Sequence, residues 1–345
     1  MSNPILVSIC ILILIILIML LWWSKREPYS PMVVDVVYLW VDSNDPEREF
    51  NEKLEKLQKN DQNSEDKRYR NNEELRYSLR SLDMYCPWVR KIFIVVKDGQ
   101  KPAFVNFQNP KIQLINHSQI IPKHYLPLFN SISIELFIHK IPDLSSHYIY
   151  MNDDMMILKP MKASDFFPNG KPVININLKE NYRRIHGKIP VLPYKFRYLY
   201  AYNLELCQKL FSTNKVYQQF HTPSPCYKPW EEELEALLKR KNLYQVTRFR
   251  TNHNVLVNNL LRNYFYETKN CPVVCWDDGY TEIKPENGEN NFINFSTCNI
   301  PHITFFFTLF KKFLCVNDIS LECKQNYLDF MEKLFPYSSS LEMPN

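Results

Sequence analysis

Four nearly continuous runs of β-forming residues alternate with longer polar or helical segments in the first half of the chain. They occupy residues 33–41, 91–96, 112–116 and 147–151. Uninterrupted apolar runs of this length are typical of strands that are buried on both faces. Helices are predicted over 73–85 and 131–140, between these runs. The alternation predicts an α/β fold with a mostly parallel sheet and helices on both faces.

Polar side chains follow every one of these predicted strands. They are Asp42, Asp98, His117 with Ser118, and Asp153 with Asp154. In a parallel sheet the ligand site lies outside the carboxyl ends of the strands. A single polar junction is common, but four together favour one shared ligand-binding edge.

The fourth strand ends in the most unusual junction, because residues 148–156 read YIYMNDDMM. Burying an unpaired charge is costly, so two adjacent carboxylates in an apolar setting must reach solvent or a cation. A polar turn between two strands is one interpretation. A metal site at the end of a buried strand is the other.

The N-terminus carries a long apolar segment. Residues 5–23 contain no charged side chain, and their length is close to the ~20 residues that a spanning helix needs. Trp22 and Trp23, followed by Lys25 and Arg26, are typical of a membrane interface. A cleaved signal peptide is the alternative, but no basic start or small-residue cleavage site is present. We therefore expect residues 1–27 to form an uncleaved anchor of a single-pass membrane protein.

The sequence features that indicate the side of the membrane on which residues 28–345 lie conflict with one another. Lys25 and Arg26 follow the predicted span and no basic residue precedes it, which by the positive-inside rule favours the cytoplasmic side. Outside the span there are eight cysteines, and sequons begin at Asn116 and Asn294. An even cysteine count and glycosylation sequons favour a lumenal compartment of the endoplasmic reticulum or Golgi type, which we expect here.

Composition excludes several classes of protein. The chain has 345 residues, of which 45% are hydrophobic, and this suffices for a large packed core. Neither of the glycine-rich phosphate loops, G-x-G-x-x-G and G-x-x-x-x-G-K-[ST], occurs among its 5 glycines. A net charge of +5 is compatible with an anionic ligand but too small to favour nucleic acid.

Several blocks of the sequence resemble the Stealth family. Residues 35–47 (DVVYLWVDSNDPE), 68–100 and 126–157 are similar to its first two blocks. HTPSPCYK (221–228), with Phe249 and Arg250, is similar to the third block, and KFLCVND (312–318) is similar to the fourth. The blocks follow the family order and cover most of residues 33–320.

The resemblance implies a Rossmann-like catalytic domain over residues 33–320. Its sheet-forming half, 33–160, would hold the acids, and 161–320 would close the site. Within that second half, helices are predicted over 231–241 and 253–266 and a last strand over 311–318. A C-terminal helix and tail would follow over 321–345.

Stealth proteins include bacterial capsule polymerases and the N-acetylglucosamine-1-phosphotransferase that tags lysosomal enzymes. The resemblance therefore implies transfer of a hexose-1-phosphate from a nucleotide sugar, typically a UDP-N-acetylhexosamine. The acceptor would be a sugar hydroxyl, the product a phosphodiester and the leaving group UMP, in surface or secretory-pathway glycan synthesis. This sequence lacks the long insertions of the animal enzyme, so a carbohydrate acceptor is expected rather than a protein.

A nucleotide sugar brings a diphosphate, whose charge calls for Mg²⁺ or Mn²⁺ held by oxygen ligands. Asp153, Asp154 and Asp318 are the candidate metal ligands. His221 is the first candidate for the general base, because histidine titrates near neutral pH, and Asp42 is the alternative. Asp154 is also a candidate catalytic residue.

Arginines are expected to clamp the phosphate oxygens, because the guanidinium fork matches phosphate geometry. Arg250 is the candidate for the catalytic step, and the candidate donor-binding residues are Arg70, Arg76, Arg80, Asn130, Ser131 and Asn152. Arg76 and Arg80 share a predicted helix face with Glu73, so a salt-bridge network is the alternative role for this pair.

Two other functions fit the same blocks. One is a metal-dependent glycosyltransferase that attacks the sugar carbon and releases UDP. The other is an inactive, membrane-anchored glycan-binding protein that keeps the fold. The identity of the released nucleotide separates the first from sugar-1-phosphate transfer. An Asp154→Ala variant that folds but loses turnover would exclude the second.

Overall fold

The computed structural model describes most of the chain from residue 32 onward. The described residues are 32–42, 71–178, 189–191, 195–213, 215, 217–219, 221–274, 280–284, 292–294, 311–316, 319 and 321–344. All structural statements below concern these residues.

The described residues contain twelve strands and eight α-helices. The strands are β1 (Val34–Leu39), β2 (Ile92–Val96), β3 (Ile112–Asn116), β4 (His147–Asn152), β5 (Met155–Ile157), β6 (Ile174–Leu178), β7 (Tyr217–Gln219), β8 (Ser224–Tyr227), β9 (Val273–Val274), β10 (Tyr280–Lys284), β11 (Phe292–Asn294) and β12 (Phe313–Val316). The helices are α1 (Glu74–Tyr85), α2 (His117–Ile120), α3 (Ser131–Glu135), α4 (Ala163–Phe166), α5 (Phe196–Phe211), α6 (Lys228–Arg240), α7 (Arg262–Thr268) and α8 (Lys324–Leu334).

The central sheet has the strand order β3-β2-β1-β4-β8. β1 pairs in parallel with both β2 and β4, and β2 pairs in parallel with β3. Only β8 runs antiparallel, against β4. The order 3-2-1-4 is that of a Rossmann-like, doubly wound sheet, so the predicted α/β fold with a mostly parallel sheet is present.

A second, smaller sheet begins at the end of β4. Its order is β11-β10-β12-β5, and β5 follows β4 after a two-residue turn, Asp153 and Asp154. β12 pairs antiparallel with β5, and the Val316 N–H donates to the Asp154 carbonyl oxygen at 2.9 Å. The acidic turn therefore lies at the junction of the two sheets.

Helix α1 packs against β5 through both apolar and polar contacts. Leu75, Leu79 and Leu82 are fully buried, which confirms the predicted apolar face of the helix. The Ser81 hydroxyl oxygen accepts a hydrogen bond from the Ile157 N–H at 3.0 Å. These contacts hold α1 along β5, the strand that follows the acidic turn.

Three predicted elements have different bounds in the structure. The helix predicted over 131–140 ends at Glu135 and is followed by a separate 3₁₀ turn, Ile138–Lys140. The helix predicted over 253–266 begins with a π-helical turn at Val257 and ends at Thr268. The last strand is Phe313–Val316, and residues 317 and 318 lie outside the described residues.

The predicted membrane helix needs a correction. In the described part of the chain no helix is both long and apolar enough to cross a membrane. The longest one, α5, has 16 residues, which is shorter than the ~20 that a bilayer requires. The predicted fold therefore stands without its N-terminal membrane helix, and the single-pass membrane location is withdrawn. Residues 5–23, on which that prediction was based, lie outside the described residues.

The cysteines give little support to the argument for a disulfide-forming compartment. Five of them are buried thiols outside any disulfide: Cys86, Cys207, Cys226, Cys271 and Cys315. Cys323 is disulfide-bonded. An even cysteine count therefore does not correspond to pairing of all the cysteines.

Candidate functional site

The carboxyl ends of the parallel strands lie along one edge of the central sheet. Leu39 at the end of β1 pairs with Asn152 at the end of β4, and Val96 pairs with Asn116 at the ends of β2 and β3. Just beyond this edge, the Asp42 N–H donates to Gln100 Oε1 at 3.0 Å and ties two strand-end loops together. The strand ends that were predicted to share a ligand-binding edge are thus neighbours.

Three acids gather at the junction of the two sheets. Asp153 and Asp154 form the turn after β4, and Glu74, at the start of α1, interacts with both of them. The pKa of Asp153 is raised well above its usual range. Burial is the largest cause, and the charges of Asp154 and Glu74 add to it. Burial also raises the pKa of Glu74, against the hydrogen bonds that its carboxylate accepts from Asn72. Carboxyl groups that raise one another's pKa are typical of functional sites.

A tyrosine hydroxyl lies beside these acids. Tyr327, on α8, is fully buried, and its hydroxyl has no hydrogen-bond partner among the residues described. Burial and the nearby charges of Glu74, Asp153 and Asp154 raise its pKa well above the usual value. The C-terminal helix therefore contributes a polar group to the acidic site.

Asp154 also belongs to a group of three potential metal ligands. Its carboxylate, an imidazole nitrogen of His221 and the thiol of Cys315 have ligand atoms within 4.8 Å of one another. Cys315 reaches this place because it pairs with Met155, the residue after the acidic turn, in the β5–β12 register. His221 lies just before β8, which pairs with β4. The tertiary structure thus joins three distant segments.

The donor atoms of the site fit a divalent cation. Asp153 and Asp154 offer the oxygen ligands that Mg²⁺ and Mn²⁺ prefer, and their mutual repulsion would be relieved by such an ion. The imidazole of His221 also suits Mn²⁺, whereas the thiol of Cys315 suits neither magnesium nor manganese well. The residues therefore fit an oxygen-ligated divalent cation at the acids.

A hydrogen-bonded chain leads from α3 to the acidic turn. Tyr150 Oη lies 3.1 Å from Glu135 Oε1 and 2.7 Å from Asn152 Oδ1. Burial raises the pKa of Glu135 to about 7, although Tyr150, Arg262 and Arg250 lower it. The Tyr150 hydroxyl is placed to donate to Glu135 and to Asn152, and so links α3 to the end of β4.

Arg250 lies near these hydrogen-bonded residues, since its charge acts on Glu135, and it contacts α3 directly. Its Nη2 donates to the Ser131 hydroxyl oxygen at 2.7 Å. Asn130, the N-cap of α3, is fully buried, and its Nδ2 contacts Thr247 Oγ1 at 3.0 Å and Asn254 Oδ1 at 3.2 Å. Two predicted donor-binding residues thus position the segment that carries Arg250.

The two helix arginines that were predicted to bind the donor form ion pairs with acids of α8 and of the C-terminal tail. Arg80 Nε donates to Glu342 Oε1 at 2.7 Å, and its Nη1 donates to Glu332 Oε1 at 2.9 Å. Arg76 forms ion pairs with Glu73 at 2.7 Å and with Glu342 at 2.9 Å. This geometry favours the ion-pair network that the sequence left open as their alternative role.

The chain is similar in sequence to a family model and to several known proteins. The family model "Stealth protein CR2, conserved region 2" matches residues 68–174. The capsular polysaccharide phosphotransferase cps1A of Actinobacillus pleuropneumoniae is 35% identical over 261 residues, which are 70% of this chain and 68% of that protein. The chain belongs to the Stealth family.

Other relatives match over shorter segments. The capsular polysaccharide phosphotransferase fcs1 of Haemophilus influenzae is 40% identical over 170 residues, 48% of this chain and 46% of the relative. The phosphotransferase eps5J of Streptococcus thermophilus is 43% identical over 143 residues, 40% of this chain and 59% of the relative. The chain thus spans about half the length of these two relatives.

Solved structures show only a distant likeness. The galactosyltransferase LgtC in complex with donor and acceptor sugar analogues has 8% identity and a TM-score of 0.42, over 87% of this chain and 95% of that one. The bifunctional glycosyltransferase WbbM has 13% identity and the same TM-score of 0.42, over 88% of this chain and 50% of that one. Scores this low carry no argument about the Stealth site.

Two predicted site residues of this Stealth protein, Arg70 and Asp318, lie outside the described residues. Sequence reasoning missed Glu74, Cys315 and Tyr327. Cys315 stands in the KFLCVND block that was compared with the family, so the block itself was a usable signal. Glu74 likewise stands in the block 68–100, whereas Tyr327 lies outside the blocks and reaches the acids only through the packing of α8.

Proposed function

We propose that this Stealth protein transfers a hexose-1-phosphate from a nucleotide sugar, a UDP-N-acetylhexosamine, to a hydroxyl of a carbohydrate acceptor. The product is a phosphodiester and the leaving group is UMP. The names of the relatives, all capsular polysaccharide phosphotransferases, support a place in capsule-type glycan synthesis.

The observation that carries the proposal is the meeting of Asp154 and His221 at the carboxyl edge of the sheet. A diphosphate donor needs its charge compensated, and a hydroxyl acceptor needs a base near neutral pH. Asp154, which with Asp153 offers oxygen ligands for Mg²⁺ or Mn²⁺, has a carboxylate oxygen within 4.8 Å of a ring nitrogen of His221, and this proximity supports the proposal. Such a cation would supply charge neutralisation at the diphosphate.

The residues of the chain then have separate tasks. His221 accepts the proton of the acceptor hydroxyl at Nε2, since Nδ1 faces Cys315 at 3.9 Å. The hydroxyl oxygen bonds to the phosphorus that carries the sugar. The bond from this phosphorus to the bridging oxygen of the diphosphate breaks, its electron pair stays on that oxygen, and UMP leaves.

Arg250 is the candidate for contacting the phosphate oxygens. Its bond to Ser131 fixes the guanidinium at the end of α3, and this guanidinium lowers the pKa of Glu135 by its charge. A positioned guanidinium stabilises the negative charge that develops in phosphoryl transfer. Asp42, in a strand-end loop of the same sheet edge, remains a candidate for contacting donor or acceptor.

The test uses the purified full-length chain with UDP-N-acetylglucosamine, Mg²⁺ or Mn²⁺ and a panel of sugar acceptors. We expect mass spectrometry to find UMP, and a chelator to abolish its formation. Asp154→Asn should lower turnover by about 100-fold or more, because it removes charge where the diphosphate binds. His221→Ala should lower it by about 100-fold to 10,000-fold.

The matched control is Asp329→Asn, an exposed aspartate on α8 that accepts a hydrogen bond from Gln325. It removes the same charge at an exposed position outside the site and should change turnover by no more than about twofold, because such surface substitutions have effects of about 0.5 kcal/mol or less. Release of UDP in place of UMP would mean attack at the sugar carbon and would refute the phosphate transfer. Equal losses for Asp154→Asn and Asp329→Asn would refute the placement of the site.

A further inference from the structure

Besides the carboxylate pair Asp153 and Asp154, the acidic turn takes part in a second group of potential metal ligands with different donor atoms. Asp154 offers an oxygen, His221 a nitrogen and Cys315 a sulfur, all within 4.8 Å of one another. They come from three separate segments, the turn after β4, the loop before β8 and strand β12. No local sequence constraint brings them together, so the arrangement is a property of the packed site.

The spacing agrees with a tetrahedral metal. Ligand bonds of about 2.3 Å to sulfur and about 2.0 Å to nitrogen, at a tetrahedral angle, place these two atoms about 3.6 Å apart. Cys315 Sγ and His221 Nδ1 are 3.9 Å apart. For this pair a few tenths of an ångström remain to be closed, and the Asp154 oxygen lies within 4.8 Å of both atoms, so it would move closer by side-chain rotation.

The donor set selects the class of cation. A sulfur ligand is a poor partner for Mg²⁺ or Mn²⁺, whereas one carboxylate, one imidazole and one thiolate suit Zn²⁺ and Co²⁺. We propose that Asp154, His221 and Cys315 form a site for a thiophilic divalent cation of the Zn²⁺ class, with a fourth position open. On binding, the Cys315 thiol releases its proton to solvent, and no electron is transferred.

This site shares two residues with the proposed transfer reaction. A Zn²⁺-class ion on Asp154 and His221 would occupy the carboxylate and the imidazole that the reaction requires. The ion is therefore an inhibitor of transfer rather than its cofactor. This last step depends on the proposed function, whereas binding of the ion does not.

The first experiment follows Co²⁺ binding to the full-length chain by absorption spectroscopy. A cobalt–thiolate bond gives a near-ultraviolet charge-transfer band, and we expect this band, its disappearance when Zn²⁺ is added, and its loss in Cys315→Ser. Cys271→Ser is the matched control, because Cys271 is also a buried thiol but is not one of the three ligands. It should retain the band.

A second variant protects the test against misfolding of Cys315→Ser, which changes a fully buried strand residue. His221→Gln changes a half-buried loop residue and should raise the Kd for Co²⁺ by about tenfold or more, since even outer-shell partners of a ligand contribute that much. Circular dichroism checks the fold of both variants.

A wild-type protein without the band, a band that survives in Cys315→Ser, or an unchanged Kd in His221→Gln would each overturn the proposal. These results are distinguishable from failure of the proposed function. UMP release without a cobalt–thiolate band would leave the transfer reaction standing and remove the zinc-class site. The cobalt–thiolate band without UMP release would support the metal site and remove the proposed transfer reaction.

Discussion

Replacing Glu135 by glutamine should change how the stability of the protein depends on pH. The Glu135 side chain is 8% exposed, and its Oε2 has no hydrogen-bond partner among the described residues. Burial raises its pKa from 4.5 to about 7, which means that folding favours the protonated acid. A glutamine has nearly the same shape and cannot ionise.

The magnitude follows from the two pKa values. Each pH unit between them corresponds to about 1.4 kcal/mol, so the full contribution of Glu135 is about 3 kcal/mol. Because the folded-state pKa is the higher one, this stability is fully present below pH 4.5 and is lost as pH rises through about 7. Most of the loss, about 2.5 kcal/mol, falls between about pH 5 and pH 8.

The assay is equilibrium unfolding in urea at pH 5 and at pH 8, with the wild type and Glu135→Gln measured together. The wild type should lose about 2.5 kcal/mol more than the variant between the two pH values. Glu205→Gln is the control, because Glu205 lies on α5 and is exposed. Parallel pH profiles for the wild type and Glu135→Gln would refute the reasoning that burial keeps this acid neutral.

Two further predictions concern buried polar contacts. Glu342→Gln should lower the free energy of unfolding by about 3–5 kcal/mol, because it leaves the buried charge of Arg80 without its main partner. Glu332→Gln should lower it by less than about 1 kcal/mol, since this partner of Arg80 is 50% exposed, and equal losses would contradict the argument. Asn130→Ala should lower the free energy of unfolding by about 1–3 kcal/mol, because Thr247 loses a buried partner. Urea unfolding measures each change, and a loss below about 0.5 kcal/mol for Asn130→Ala would contradict its structural role.

The four parallel strands of the central sheet, β1 to β4, were predictable almost to the residue. The runs at 33–41, 91–96, 112–116 and 147–151 became the strands Val34–Leu39, Ile92–Val96, Ile112–Asn116 and His147–Asn152. A strand that is buried on both faces must be apolar along its whole length, so its extent can be read directly from the sequence. The polar residue that follows marks the end of the strand.

The helices of the second layer were less predictable. The segment 131–140 divides after Glu135, and its buried residues include Ile132, Ile134 and Ile138. Apolar side chains on every side of a segment remove the 3.6-residue period from which helix ends are inferred. Tertiary packing therefore decided where this helix stops.

The roles of charged residues were the least predictable part. Arg80 looked like a phosphate ligand because its helix lies in a family block, and its partner Glu342 is 262 residues away in the sequence. Arg250 and Ser131 are 119 residues apart and yet share a hydrogen bond. A charge has no preference for a partner that is near in sequence, so only the folded chain assigns these pairs.

The sequence by itself determined the parallel sheet and the acids at its carboxyl edge, because burial and strand ends are local, periodic properties. The tertiary structure decided what surrounds those acids. The register of β12 on β5 brings Cys315 to Asp154, and the packing of α1 brings Glu74 to the same turn. Contacts between distant segments depend on register and packing, which no short window of sequence contains.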